Sequence, residues 1–445
     1  MADKQATTQR DGFKSKWGFI LACIGSAVGM GNIWRFPIMV SIWGGMTFLI
    51  PYFICVILIG STGVIGEFAL GRATGAGPIG AFGKCTELRG NRKIGEAIGF
   101  IPVLGSMALA IGYTVVMGWI FKYTAIAITG DMHAMGQDMA AIDGHFGIVA
   151  VSNLPWIIVA IVASFAIMAM GVSGGIEKAN KVMMPLLFGL FVVLGIYIAF
   201  LPGASDGYRY IFTLQPAGLL NPQVWVFAFG QAFFSLSIAG NGSVIYGSYL
   251  SKSEDIPSSA RNVALFDTIA ALLAAFVILP AMAAGGVEPS SGGPGLMFVY
   301  LVNVFNGMTG GRIVGMIFFI CVLFAGVSSI VNLYEAPVAF LQEKLHLKRI
   351  PSVAVIGVIG LVISIMIQPW TSQWMDLVSI YICPLGALLA GIMFFWVLKK
   401  DTALAAVHEG GKKEVFKLFY PLGKWVFCIA SLAALILGAK YGGIG

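Results

Sequence analysis

Long apolar runs recur along the chain, near residues 17–42, 44–70, 97–127, 153–170, 176–201, 223–250, 262–284, 312–340, 351–367, 374–398 and 421–439. A hydrocarbon core of about 30 Å takes roughly 20 apolar residues as a helix, so the pattern predicts eleven spanning helices. The fourth run is short, and Pro51 with several glycines interrupts the second. Residues 1–16 are polar, and the run that follows is long and succeeded directly by another, which predicts a first spanning helix and not a cleaved signal.

The stretches between the runs alternate in charge. Of the 27 Lys and Arg, 22 fall on one side, from Lys4, Arg10, Lys14 and Lys16 through Arg72–Lys93, Lys178, Lys181, Lys252, Arg261 and Lys344–Arg349 to Lys399–Lys424. The other side carries only Arg209, Arg312 and Lys440, and its 130–150 loop has Asp131, Asp138 and Asp143 with no base. Positive charge accumulates on the cytoplasmic side. The N-terminus is therefore expected in the cytoplasm and, with an odd number of spans, the C-terminus outside, in a multi-pass protein of the cell membrane.

Composition agrees. Hydrophobic residues make up 58% and charged residues 11% of 445 residues, too little polar surface for an ordinary soluble enzyme, which carries about 25% charge. The partner implied is the lipid bilayer. The net charge of +7 lies in short loops with no aromatics interleaved, so a nucleic acid partner is not expected. Oligomeric state is not legible. The six cysteines form no CxxC pair and the four histidines lie outside the apolar runs, which argues against a disulfide framework or zinc. Gly171-Val172-Ser173-Gly174-Gly175 matches the G-x-S-x-G elbow, but that motif needs a strand-to-helix turn and a histidine partner. No enzyme is expected.

Two runs contain glycine clusters. The first reads Gly25-Ser26-Ala27-Val28-Gly29-Met30-Gly31-Asn32, and the sixth Ser237-Ile238-Ala239-Gly240-Asn241-Gly242-Ser243. Ser26 matches Ser237 at a spacing of 211, and five spans between them make the copies antiparallel. Such paired interruptions are a sequence pointer to a transport site, because unwound backbone at mid-membrane is tolerable only where it faces ligand, ion or protein. Close helix packing is the plainer use of glycine. Asn32, Tyr113, Ser235, Ser237, Asp267, Ser328 and Ser329 also lie within apolar runs. Asp267 costs several kcal/mol there unless it is paired or binds a cation; pairing with a loop base such as Arg261 is the alternative. Glu67 and Glu335 suggest hydrogen bonding inside the helix array.

The run Gly25–Pro37, with Gly230-Gln231-Ala232-Phe233-Phe234-Ser235-Leu236-Ser237 and Phe324-Ala325-Gly326-Val327-Ser328-Ser329, resembles the signatures of the neurotransmitter:sodium symporters across essentially the whole chain. The resemblance implies an all-α polytopic membrane protein of the LeuT type: eleven transmembrane helices, an inverted 5+5 repeat, and unwound helices 1 and 6. Its parts would be a cytoplasmic segment 1–16, a first repeat 17–201, an extracellular loop 202–222, a second repeat 223–399, and a cytoplasmic loop with the eleventh helix, 400–445. It also implies sodium-coupled symport of neutral hydrophobic L-amino acids by alternating access, with two Na⁺ sites.

Carried over, the first site would use the Ala27 carbonyl, Asn32, Ser235, Asp267 and the substrate carboxylate. The second would use the carbonyls of Gly25, Val28 and Ala325 with the hydroxyls of Ser328 and Ser329. The substrate carboxylate would meet the Met30 and Gly31 amides and Tyr113, and its amine the carbonyls of Ala27, Phe234 and Ser235, with Ser237 nearby. Leu109, Tyr113, Phe234, Ile238 and Leu333 would wall an apolar pocket, with Gly240 leaving room for a large ring. Gly29 stands where monoamine carriers of the family have Asp, which implies an amino-acid substrate. Arg35 with Asp376, under a lid of Tyr113 and Phe234, and Arg10 with Glu343 would be the outer and inner gates. Gly175 and Pro185 resemble the family's helix-unwinding element, although Pro near a helix start is ordinary. Three positions depart from the pattern: Phe13 for a usual Trp, Ser235 for a frequent Thr, and Asp267 for a frequent Asn. The fixed carboxylate of Asp267 implies chloride independence.

Overall fold

Glycine or proline stands at many of the helix boundaries of this apolar chain, while Pro51, Pro102, Pro185, Pro280 and Pro337 lie inside helices. The structure is a computed structural model that describes residues 13–238, 241–290, 295–411 and 414–441. Among these residues every regular element is helical. The first run divides into α1 (Lys16–Ala27) and α2 (Gly31–Trp43), inclined by 51° across a three-residue break. The Ser15 side chain caps the N-terminus of α1 by accepting from the Gly18 amide. Next come α3 (Gly45–Thr74), α4 (Pro78–Glu87) and α5 (Arg92–Thr129). The fourth run is α7 (Leu154–Ala169), preceded by α6 (Met139–Val151), and the two form a bent pair turned by 63° at Ser152-Asn153. The fifth is α8 (Val172–Ala199), which opens with a π turn after Gly171.

A helix α9 (Ala204–Phe212) leads to the sixth run, which is split into α10 (Pro222–Ser235) and α11 (Gly242–Gly247). Then follow α12 (Ile256–Ala284), the short apolar α13 (Leu296–Gly307) and α14 (Gly311–Lys344). Beyond them lie α15 (Arg349–Ile367), α16 over 371–397, α17 (Lys400–His408) and α18 (Phe419–Tyr441).

Seven of these helical runs are long and apolar enough to cross a bilayer, nine when each bent pair counts as one. The two remaining expected spans are also in place. Helical assignment is continuous over Arg349–Val397, 49 residues, about 74 Å if straight and twice what a hydrocarbon core needs. The Ser364 hydroxyl, however, donates to the Ile111 carbonyl and the Trp374 indole to Ala108. Residues ten apart thus meet one turn of α5, so the chain reverses at the 3₁₀ turn Gln368–Trp370 and makes two spans. The sixth run crosses as two short halves of 14 and 6 residues on either side of its break.

The structure corrects several loops. The 130–150 stretch holds most of α6, the 202–222 stretch holds α9, and the basic stretch after α3 holds α4. The third and eighth helices overrun the expected 97–127 and 312–340 at both ends. All six cysteines are buried and unbridged, including Cys85 in α4.

Candidate functional site

The break in the first run follows from where its amides point. In an unbroken helix the Gly29 amide would donate to Gly25 and the Asn32 amide to Val28. Here Gly29 N–H donates to the Asn32 side-chain oxygen at 2.9 Å, and Asn32 N–H to the Gly29 carbonyl at 3.1 Å. The carbonyls of Gly25 and Val28 lose those helical partners. The amides of Met30 and Gly31 lie at the start of α2, where no preceding turn can accept from them. The Gln231 side-chain amide donates to the Gly31 carbonyl at 2.8 Å, tying α10 to this turn.

The sixth run breaks at the same level. Ser237 and Asn241 hold left-handed backbone, φ 56° and 52°, a conformation costly for residues with a Cβ unless surrounding bonds enforce it. Those bonds are visible. The Ser237 hydroxyl donates to the Ser26 carbonyl at 2.7 Å, and the Asn241 amide donates to Glu67 at 3.0 Å and to the Gly386 carbonyl at 3.2 Å. The matched serines of the two repeats are therefore in direct contact.

Three side chains form a knot where α2, α10 and α12 meet. The Asn32 amide donates to Asp267 Oδ1 at 2.7 Å and to Ser235 Oγ at 3.0 Å, and the Ser235 hydroxyl reaches both Asp267 oxygens at 2.9 and 2.8 Å. All three residues are buried. Arg261, the alternative partner of Asp267, is exposed, and among the described residues no Lys or Arg pairs with that carboxylate. A buried anion held only by neutral donors calls for a cation. No cluster of three His, Cys, Asp or Glu exists among the described residues. The donors at hand are hydroxyl, amide and carboxylate oxygens, which suit a hard cation and not a transition metal.

A second oxygen group lies against the far side of the break. A Cβ on Gly25 would sit 3.1 Å from Ser328 Cβ, and one on Gly29 would collide with Ser329 Oγ and reach 3.8 Å from the Ala325 carbonyl. The Ser328 hydroxyl donates to the Ala325 carbonyl at 2.9 Å. Of the residues expected at the second sodium site, Gly25, Ala325, Ser328 and Ser329 are thus brought together where the first run packs on α14.

Between the two groups lies a cavity. Ser26, Ala27, Gly29 and Gly31 form one wall and Leu109 with Tyr113 another; Phe234, Ser237 and Gly242 come from the sixth run, and Ser329, Asn332 and Leu333 from α14. The Ser106 hydroxyl fixes Leu333 through its carbonyl, at 2.7 Å. Met30, Phe234 and Ser235 crowd the same break, with Phe234 against Gly31. Ile238 departs from expectation: its side chain turns to Gly63 of α3 and stands outside the cavity wall. The left-handed turn at Ser237 redirects the chain there. Gly240 lies outside the described residues.

A smaller cavity above shares Phe234 and adds Arg35, Phe233, Ser379 and Cys383. Another below shares Ser26, Ser237 and Gly242 and reaches Cys23 and Tyr246. The ring centroids of Tyr113 and Phe234 are 6.3 Å apart, and the Arg35 guanidinium lies 4.7 Å over the Phe234 ring. Asp376 is exposed on the second turn of α16, where its neighbours Trp374 and Met375 pack on Ala108 and Gly112. Arg10 lies outside the described residues; Glu343 accepts the Gly77 amide at 2.9 Å beside α4. Gly175 fits within the π turn opening α8, close against the Ile167 carbonyl, and α8 continues unbroken through Pro185.

Sequence reasoning missed three supporting residues, Gln231, Asn332 and Glu177, whereas Glu67, expected to hydrogen-bond inside the helix array, accepts from Asn241. The buried Glu177 accepts from the Lys14 amide at 2.8 Å and the Ser15 hydroxyl at 2.9 Å, pinning the chain just ahead of α1. Glu335, expected to hydrogen-bond inside the helix array, pairs with Arg349 at 2.6 Å and accepts from Tyr249 at 2.7 Å.

Comparison with known proteins agrees with this geometry. The model of the sodium:neurotransmitter symporter family matches residues 10–134 and 135–413. An uncharacterised sodium-dependent transporter of Methanocaldococcus jannaschii is 31% identical over 429 residues, covering 90% of this chain and 85% of its own. The mouse sodium-dependent neutral amino acid transporter B(0)AT3 is 29% identical over 304 residues, 62% of this chain and 48% of its own. The crystal structure of MhsT in complex with L-phenylalanine superimposes with a TM-score of 0.85 at 33% identity, covering 96% of this chain and 99% of that one. The chain belongs to the sodium:neurotransmitter symporter family, whose members are sodium-coupled transporters and not enzymes.

Proposed function

We propose that the protein moves neutral hydrophobic L-amino acids, aliphatic and aromatic, together with sodium by alternating access and without need of chloride. The observation that carries this reading is the buried Asn32–Ser235–Asp267 knot beside the cavity at the paired breaks. An anion with no cationic side chain is balanced when Na⁺ binds, and a second Na⁺ would take the Gly25, Val28, Ala325, Ser328 and Ser329 oxygens. The substrate carboxylate would meet the Met30 and Gly31 amides and the Tyr113 hydroxyl, next to the first ion. Each guest improves the other's site, which is the energetic basis of coupled transport. Leu109, Phe234 and Leu333 give the side chain an apolar wall, and MhsT, similar over nearly the whole chain, binds L-phenylalanine.

Phe234, shared by the upper and central cavities, and Ser26, Ser237 and Gly242, shared by the central and lower ones, support gates on either side. Arg35 with Asp376 would close the upper gate and Arg10 with Glu343 the lower, while Gly175 and Pro185 would let α8 open toward the second ion. The charge bias supports an N-terminus in the cytoplasm and a C-terminus outside.

Uptake into proteoliposomes tests the reading. Radiolabelled leucine and phenylalanine are expected to accumulate saturably under an inward sodium gradient. Asp267→Asn is expected to raise the sodium concentration for half-maximal uptake roughly tenfold, through loss of the charged ligand. Equal uptake in potassium and sodium would refute the proposal.

A further inference from the structure

Asn332 lies on α14 one helical turn beyond Ser329, about 4.5 Å along the axis, and on the same face. It is 1% exposed, and among the described residues its side-chain oxygen has no hydrogen-bond partner. Its amide lies on the cavity wall, beside Leu333 and against the first residue of α11. A Cβ on Gly242 would come within 2.7 Å of Asn332 Nδ2 and 3.4 Å of Oδ1, so the absence of a side chain there makes room for the amide. A buried amide oxygen left unpaired costs free energy, and the amide's place on the cavity wall suggests what meets it.

We infer that Asn332 is a specificity-determining residue whose side-chain oxygen accepts a hydrogen bond from a donor at the far end of the substrate's side chain, the indole N–H of tryptophan. This deepens the proposed function and rests on it. With the substrate's carboxylate and amine at the break between Ala27 and Gly31, its side chain extends along α14 from Ser329 toward Gly242. Leu109 and Leu333 flank that path, so a ring with one polar edge is the guest that satisfies both walls and amide. A site that carries a hydrogen-bonding group discriminates against an analogue lacking the partner, because the group is then left unpaired.

The test compares tryptophan with benzothienylalanine, in which sulfur replaces the indole N–H with little change of shape. Each competes with radiolabelled leucine for uptake into proteoliposomes. In the wild type, tryptophan is expected to compete roughly five- to tenfold more strongly, the worth of one hydrogen bond to a buried neutral group. Asn332→Leu is expected to abolish that preference, and Asn332→Ala reads the same ratio should the leucine variant not reach the membrane. Equal competition by the two compounds in the wild type overturns the assignment, as does a preference that persists in both variants. Absence of leucine uptake in the wild type is a different result: it removes the amino-acid reading itself and this inference with it.

Discussion

Asp267 holds a negative charge where no basic side chain among the described residues answers it, and every partner it has is a neutral donor. On the proposed function, Na⁺ brought to such a site would require no accompanying anion, because the compensating charge is already fixed on α12. Replacing chloride by gluconate on both sides of the membrane is therefore expected to leave initial uptake rates unchanged; loss of transport in gluconate would show that a mobile anion is needed. The sequence exposes Asp267, Asn32 and Ser235 to view because polar residues in apolar runs are rare and costly. Asn332 and Gln231 are no less polar, yet their meaning depends on which helix they face. Gln231 reaches Gly31, 200 positions away, and Asn332 faces Gly242 only because the sixth run breaks.

At the scale of elements, α11 is too short to stand alone: six residues barely complete a helical nucleus. It is held by backbone contact with the end of α3. A Cβ on Gly71 would lie 2.0 Å from the Val244 carbonyl, and one on Gly247 would lie 2.5 Å from the Phe68 carbonyl. The two glycines let the backbones touch, the small-residue device of membrane helices, and the Asn241–Glu67 bond fastens the same junction. Gly71→Ala and Gly247→Ala are each expected to destabilise the protein by about 1–3 kcal/mol through overpacking, seen as a lower melting temperature in detergent. Gly189→Ala, with open space at its Cβ, is expected to leave the melting temperature in place. Equal behaviour of all three would remove the backbone contact as the support of α11. The long helices were legible because 20 apolar residues in a row have one plain physical use. Residues 139–151 and 296–307 were not, since 13 or 12 residues are too few to span and their cover comes from neighbouring helices.

For the molecule as a whole, three cavities lie in series through the paired breaks, and two buried cysteines mark the outer ones: Cys383 above Phe234, Cys23 below Ser26 and Ser237. The lower end is closed by aromatic packing. Phe13 meets Phe19, Tyr246 and Tyr249 edge-on at 5.3, 5.7 and 6.3 Å, and Tyr246 lines the lower cavity. Glu177 holds the adjoining Lys14 and Ser15. Phe13→Ala combined with Glu177→Gln removes this closure and shifts the population toward states open below, by about tenfold if each lost aromatic pair is worth 0.5–1.5 kcal/mol and part is regained by repacking. In single-cysteine proteins retaining Cys23 or Cys383, thiol labelling by a small reagent is expected to rise at Cys23 and to fall at Cys383. The fall is the informative half. A carrier that opens one side at a time must close above when it opens below, because Phe234 and the two broken runs belong to both routes. Labelling that rises at both cysteines together would describe a continuous pore, and the protein would then be a channel built on a symporter's helices.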